Sequence, residues 1–163
     1  MGYNLSVCDE TNNQGLEAMV IGYTTGVFDM FHVGHLRILK QAKQYCDYLI
    51  VGVSTDELVQ SYKGKFPVIP AQDRQEIIGS IRYVDQVVSQ ETRDKLDAHQ
   101  KYKFDIMFVG DDWRGKPLFQ EVEKKLKALG SRIVYFPYTN HVSSSKLTQV
   151  LQQIEDDDRT FYT

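Results

Sequence analysis

Cysteine is scarce in this chain: Cys8 and Cys46 are the two present in 163 residues, and they form no C-x-x-C pair. That excludes a disulfide framework and suits a reducing cytoplasm, the expected location. A basic excess is also lacking. The net charge is −3 and the pI is near 5.8, so no positive field argues for nucleic acid or an anionic membrane surface as partner. A local basic cluster could still serve a small anionic ligand. No apolar run approaches the ~20 residues of a membrane span. The opening M-G-Y-N-L-S-V-C-D-E has neither a basic start nor an apolar h-region, so no signal peptide is expected. What the chain does have is 42% hydrophobic residues, which at this length suits one compact domain with a real core.

Residues 1–17 are polar and aperiodic and read as an N-terminal extension. Residues 18–155 then alternate apolar runs with helical patterns, and 156–163 read as a polar C-terminal tail. Strands are expected at 18–25, 47–54, 84–88, 104–110 and 132–137. Helices are expected at 31–45, after Thr55, and at 72–83, 92–101, 117–129 and 143–154. Pro117 starts one of these and Gly130 stands just past its end. Several strand runs are almost continuously apolar, as strands buried on both faces require. The expected fold is therefore α/β, a doubly wound, Rossmann-like parallel sheet of five strands with helices on both faces. Ligands of such sheets bind beyond the carboxyl ends of the strands, at a switch point. Three unusual polar stretches fall there: T-T-G-V-F-D-M-F-H-V-G-H, G-D-D-W and Y-T-N-H-V-S-S-S-K.

G-D-D-W-R-G-K-P imitates a P-loop but fails as one. Pro117 replaces the hydroxyl residue that would hold Mg²⁺, and two adjacent carboxylates would repel phosphates. His32 and His35 are more informative. Three residues apart, they share one helix face. They could be core residues or zinc ligands, but zinc needs a third ligand and a second shell. Gly34 between them lets a phosphate approach the helix start, whose dipole favours an anion, while two imidazoles donate to charge on a transferring phosphoryl group. Asp29 is either a turn or cap residue or a group that orients a metal or a lysine. Ser143, Ser144 and Ser145 need supply only one N-cap, yet together with Lys146 they make a second phosphate cradle. Lys63 and Lys65 flank Gly64 in a loop that could close over phosphates. Arg74 and Arg82 are surface cations, members of ion pairs, or further contributors. Asp111, Asp112 and Trp113 form either a capped turn or a wall for a base.

Taken in order, G-V-F-D-M-F-H-V-G-H, K-G-K, I-R-Y-V-D, V-G-D-D-W and T-N-H-V-S-S-S-K resemble the cytidylyltransferases, most closely the bacterial glycerol-3-phosphate cytidylyltransferases. The likeness runs from about Met19 to Ile154. H-x-G-H alone also occurs in adenylyltransferases and, as H-I-G-H, in class I aminoacyl-tRNA synthetases; G-D-D-W and the ordered set are more specific. The resemblance implies a nucleotidyltransferase of the HxGH type that uses CTP with Mg²⁺, releases pyrophosphate and usually works as a homodimer. The acceptor it implies is a small phosphorylated alcohol, first glycerol 3-phosphate, with CDP-glycerol as a precursor of cell-surface polysaccharide. Phosphocholine, sugar or polyol phosphates, or adenylyl transfer are the alternatives. It gives His32, His35 and Lys65 catalytic roles. Thr25, Gly26, Val27, Phe28, Asp29, Gly34, Asp111, Trp113, Tyr138, Thr139, Val142, Ser143, Ser144 and Ser145 would bind the nucleotide. Lys63, Arg82 and Lys95 would meet the acceptor phosphate; the metal ligands are not identified. Tyr138 stands where the family commonly has arginine, Asn140-His141 where it has Glu-Gly, and Val27 where the glycerol enzymes often have threonine. A non-catalytic nucleotide-binding module is disfavoured by the intact histidine pair, and a synthetase fragment by the lack of K-M-S-K-S.

Overall fold

The computed structural model describes residues 18–137 and 143–161. The expected extension 1–17 lies outside them, as do Tyr138, Thr139 and Val142. The elements run β1 (Ile21–Gly26), α1 (Val33–Lys43), β2 (Tyr48–Ser54), α2 (Asp56–Lys63), α3 (Ala71–Gly79), β3 (Gln86–Gln90), α4 (Lys95–Tyr102), β4 (Ile106–Gly110), α5 (Pro117–Ala128), β5 (Arg132–Phe136) and α6 (Ser144–Phe161), with a 3₁₀ turn at Asp111–Trp113. The five strands are all parallel in the order β3-β2-β1-β4-β5. The α/β expectation is met.

Side-chain alternation sorts the core into two layers. Leu49, Val51 and Val53 of β2 and Ile106 and Phe108 of β4 pack with Leu39 and Ala42 of α1 and Ile78 of α3. Ile50 and Met107 point the other way, joining Tyr23, Ala98 of α4 and Leu126 of α5. Helices therefore cover both faces, and the central strands are apolar on both, as their continuous runs require. The winding reverses between β1 and β4. The loops that follow those two strands diverge to opposite faces and leave a crevice at the carboxyl edge.

Some element ends differ from the expectation for identifiable reasons. β3 starts at Gln86 rather than Val84, because Asp85 is taken by a turn. Its carboxylate accepts the Leu49 N–H at 2.7 Å and pairs with Lys43 at 2.5 Å. Gly130, with φ +84°, closes α5 in the left-handed conformation that glycine adopts without cost. Helix α6 continues to Phe161, beyond the expected end at Ile154.

Candidate functional site

The turn after β1 is backbone-strained. Phe28 (φ +54°) and Met30 (φ +46°) are both non-glycine residues in the left-handed region, a conformation that tends to be tolerated where function needs it. Two contacts hold it. The Val27 carbonyl accepts the buried Arg74 guanidinium at 2.5 Å. The Phe28 side chain, 6% exposed, anchors in the core layer beneath. The reversal delivers His32 to the cap of α1.

There the two histidines form a reciprocal cap. The Gly34 N–H donates to His32 Nδ1 at 3.1 Å, and the His32 N–H donates to His35 Nδ1 at 3.4 Å. Both Nδ1 atoms are acceptors, so the proton of each neutral ring sits on Nε2. The rings stack with centroids 3.9 Å apart, and His35 also packs edge-on against Phe28. Burial, the His32 charge second and Asp29 opposing, holds His35 down to about 4; burial also lowers His32. At neutral pH the pair consists of uncharged Nε2–H donors. The helix-start N–H groups expected to cradle a phosphate are thus partly consumed by the imidazoles, which present their own donors instead.

Two adjoining cavities open at this edge. The first, of about 380 Å³, is lined by His32, Gly34, His35, Val27, Phe28, Asp29, Lys63, Lys65, Asp112, Trp113 and Ser143–Ser145, among others. Fold and sequence motif agree here: segments far apart in the chain converge on one space. Ser143 is the α6 cap, its Oγ accepting the Lys146 N–H at 3.2 Å. Ser144 donates its hydroxyl to the Asp29 carbonyl at 2.5 Å, tying α6 to the β1 turn. Ser145 lies exposed at the rim.

The second cavity, of about 930 Å³, shares His35, Lys63, Val27, Phe28, Gly110 and Trp113 with the first. It is also lined by Thr25, Gly26, Ser54, Tyr62, Gln90, Arg93 and Lys95. Thr25 donates its hydroxyl to Gln90 Oε1, which also accepts from Ser54 at 2.8 Å. Burial, then Arg93, with Asp94 opposing, pushes the Lys95 ammonium down to about 8. Arg93 lies 4.7 Å over the Tyr62 ring.

Not every expected residue arrives. Arg82 is outside both cavities, exposed and 5.3 Å over its neighbour Tyr83. The Asp112 carboxylate, not Asp111, lines the first cavity. Asp29 ties down the loop backbone, and its charge also favours the Lys63 ammonium that lines the same cavity. The two Asp29 oxygens accept the Val68 and Ile69 N–H groups at 2.8 and 2.9 Å, pinning the segment after Lys65. Tyr62, Gln90 and Arg93 were not singled out by sequence as site residues. Arg93 follows the strand whose end was placed two residues early, and a neutral glutamine carries no pattern at all.

Among the described residues, no group of three or more His, Cys, Asp or Glu side chains could hold a metal ion. A Mg²⁺ ion brought in on a triphosphate would need one or two protein carboxylates rather than a cage. Asp29 and Asp112 line the cavity where such an ion would lie.

The sequence model of the family described as Cytidylyltransferase-like matches residues 23–150. An FAD synthase of Pyrococcus abyssi is 37% identical over 134 residues, 80% of this chain and 89% of its own. The glycerol-3-phosphate cytidylyltransferase of Bacillus subtilis is 35% identical over 131 residues, 77% of this chain and 92% of its own. Among solved structures, a lipopolysaccharide core biosynthesis protein of Thermoplasma volcanium superposes with a TM-score of 0.63 at 27% identity, over 76% of this chain and 99% of that one.

Proposed function

Because the chain belongs to the cytidylyltransferase-like family, we propose that it transfers CMP from CTP to a phosphorylated alcohol, glycerol 3-phosphate being the first acceptor to consider. The observation that carries this reading is the stacked pair of neutral Nε2–H donors, His32 and His35, at the cap of α1. They face a cavity that also holds Lys63, Lys65 and the serines of α6.

In the proposed reaction an oxygen of the acceptor phosphate attacks the α-phosphorus in line. The new O–P bond forms as the bond from that phosphorus to the bridging oxygen breaks, and pyrophosphate leaves with the electron pair. No protein nucleophile is required, so the chain's task is positioning and charge stabilisation. His32 and His35 donate to the α-phosphate oxygens as charge builds there. Lys65 and the Ser143–Ser145 hydroxyls hold the triphosphate, while Lys63, on the wall between the cavities, meets the acceptor. Lys95 and Arg93 draw the acceptor phosphate into the second cavity. Mg²⁺, held by the triphosphate with Asp29 and Asp112 nearby, would neutralise charge on the leaving group. The active species is proposed to be a homodimer, as the resemblance implies, which light scattering of the purified chain tests.

Adenylyl transfer is the second reading, favoured by relatives named FAD synthase at 37% and 36% identity. One experiment separates the two: pyrophosphate release measured with each nucleoside triphosphate against a panel of phosphorylated alcohols. CTP is expected to be preferred, and equal or greater turnover with ATP would overturn the cytidylyl assignment.

A further inference from the structure

The second cavity is larger and greasier than a three-carbon polyol phosphate needs. At about 930 Å³ it stands near the top of the range for ligand pockets, roughly 300–1,000 Å³. Its chemistry is divided. Towards β1 and β3 it presents Thr25, Gln90, Arg93 and Lys95. Towards α5 it presents a mostly apolar wall of Met107, Val109, Leu118, Phe119 and Val122, interrupted by Glu121 and Lys125. Leu118 on that wall is 64% exposed. A glycerol body would turn its hydroxyls to a surface that is mostly apolar, with Glu121 and Lys125 as its polar members on α5, and a buried hydroxyl left without a partner is costly.

The orientation follows from the charges. His35 and Lys63 belong to both cavities, so a phosphate reacting beside them would lie where the cavities join, and the second cavity also holds Lys95 and Arg93. The remainder of the acceptor then has one direction with room, along β4 towards α5. We propose that the acceptor is a phosphomonoester bearing an apolar, ring-sized body, which packs against the α5 wall while its phosphate is held by the Lys95–Arg93 corner. This rests on the nucleotidyl-transfer reading above and names the acceptor class for it.

The test measures pyrophosphate release with CTP for four acceptors: glycerol 3-phosphate, phosphocholine, 3-phenylpropyl phosphate and riboflavin 5′-phosphate. A ring-bearing ester is expected to exceed glycerol 3-phosphate in kcat/KM by ~10-fold or more, the advantage of burying a ring's worth of apolar surface. Val122→Phe, which fills the wall, should reduce that ratio several-fold. Leu118→Ser, on an exposed side chain that folding does not need, should reduce it too. Glycerol 3-phosphate equalling or exceeding every ring-bearing ester overturns the proposal. So do wall variants that raise the KM for CTP and leave the acceptor ratio intact, since the wall would then hold the base. If no acceptor supports pyrophosphate release with any nucleotide, the nucleotidyl-transfer reading is what fails. Calorimetric binding of 3-phenylpropyl phosphate then decides the cavity by itself: binding weakened by both Lys95→Gln and Leu118→Ser supports the assignment, and no binding overturns it.

Discussion

His35 stays neutral down to about pH 4, because burial disfavours its charged form and His32 adds to that against a smaller opposing pull from Asp29. Its folded pKa lies below the ordinary 6.5, so the unfolded chain binds the proton first as pH falls. Stability is therefore complete above the ordinary pKa and declines between about 6.5 and 4. From pH 7 to 5 the loss from this ring is about 2 kcal/mol, and His35→Gln should remove that part of the pH dependence in urea titrations. The same neutrality fits a donor role. If the rings act on charge present only in the transition state, His32→Ala and His35→Ala should each lower kcat by ~10²-fold with less effect on CTP binding. Variants that fold normally with near-full turnover would sink the catalytic role. Lys95 titrates at the other end of the range. Its pKa of about 8 means that KM for the acceptor should rise as pH passes 8 and the cation is lost, a dependence that Lys95→Gln abolishes. The residue types were legible in H-V-G-H, but the tautomers were not. Those follow from which backbone N–H each ring receives, which spacing does not state.

The connection between α2 and α3 is tied down by side chains over its second half. Helix α2 ends at Lys63, and Gly64 at φ +70° caps it with its N–H on the Gln60 carbonyl. Lys65 and Phe66 follow, both exposed. Sequence alone suggested one loop from Gln60 to Pro70 that orders as a whole on binding phosphates. The structure divides it: Asp29 clamps Val68 and Ile69, and the Ile69 carbonyl accepts Arg74 Nε at 2.8 Å. Between the end of α2 and that clamp lies a short exposed span with Lys65 and Phe66, and we expect it to close over a triphosphate. Asp29→Asn keeps an acceptor but loses one, so it should release Val68 and Ile69 partially. We expect faster proteolysis between Lys63 and Pro70 and a higher KM for CTP, with CTP and Mg²⁺ slowing the cleavage in the parent chain. Lys65→Ala should raise KM for CTP and Lys63→Ala mainly that for the acceptor; unchanged values for both would reduce the segment to a plain connection. The clamp was invisible beforehand because Asp29 and Ile69 are 40 residues apart. Nothing local to either one announces the contact.

Across the whole molecule, the alternation of apolar runs and amphipathic segments made the fold class legible, since strands buried on both faces have few other places to go. The cross-ties between loops were not legible, and Arg74 is the chief example. Within A-Q-D-R-Q-E-I it reads as a surface cation or a member of an ion pair, and it is a fully buried member of one, with partners the sequence does not announce. Its guanidinium donates to the carbonyls of Val27 after β1 and Ser54 at the end of β2, to Ile69 before α3, and to the Asp56 carboxylate at 2.5 Å. One side chain therefore joins the carboxyl ends of two strands to the loop that carries Lys63 and Lys65. Removing it strands three carbonyls and leaves Asp56, whose side chain is 28% exposed, without its counter-charge. Breaking a buried pair from one side costs roughly 3–5 kcal/mol. We therefore expect Arg74→Met to lower stability by about that much in chemical denaturation. Asp56→Asn should cost less, because water reaches the carboxylate and the amide oxygen can still accept. Arg74→Lys separates charge from geometry: one ammonium cannot reach all four oxygens. It should recover only part of the stability while still raising the KM for CTP, because the strained β1 turn and the lysine loop lose their common anchor. Full recovery of both by lysine would mean that Arg74 acts through its charge alone and that the fork of hydrogen bonds contributes nothing to holding the site.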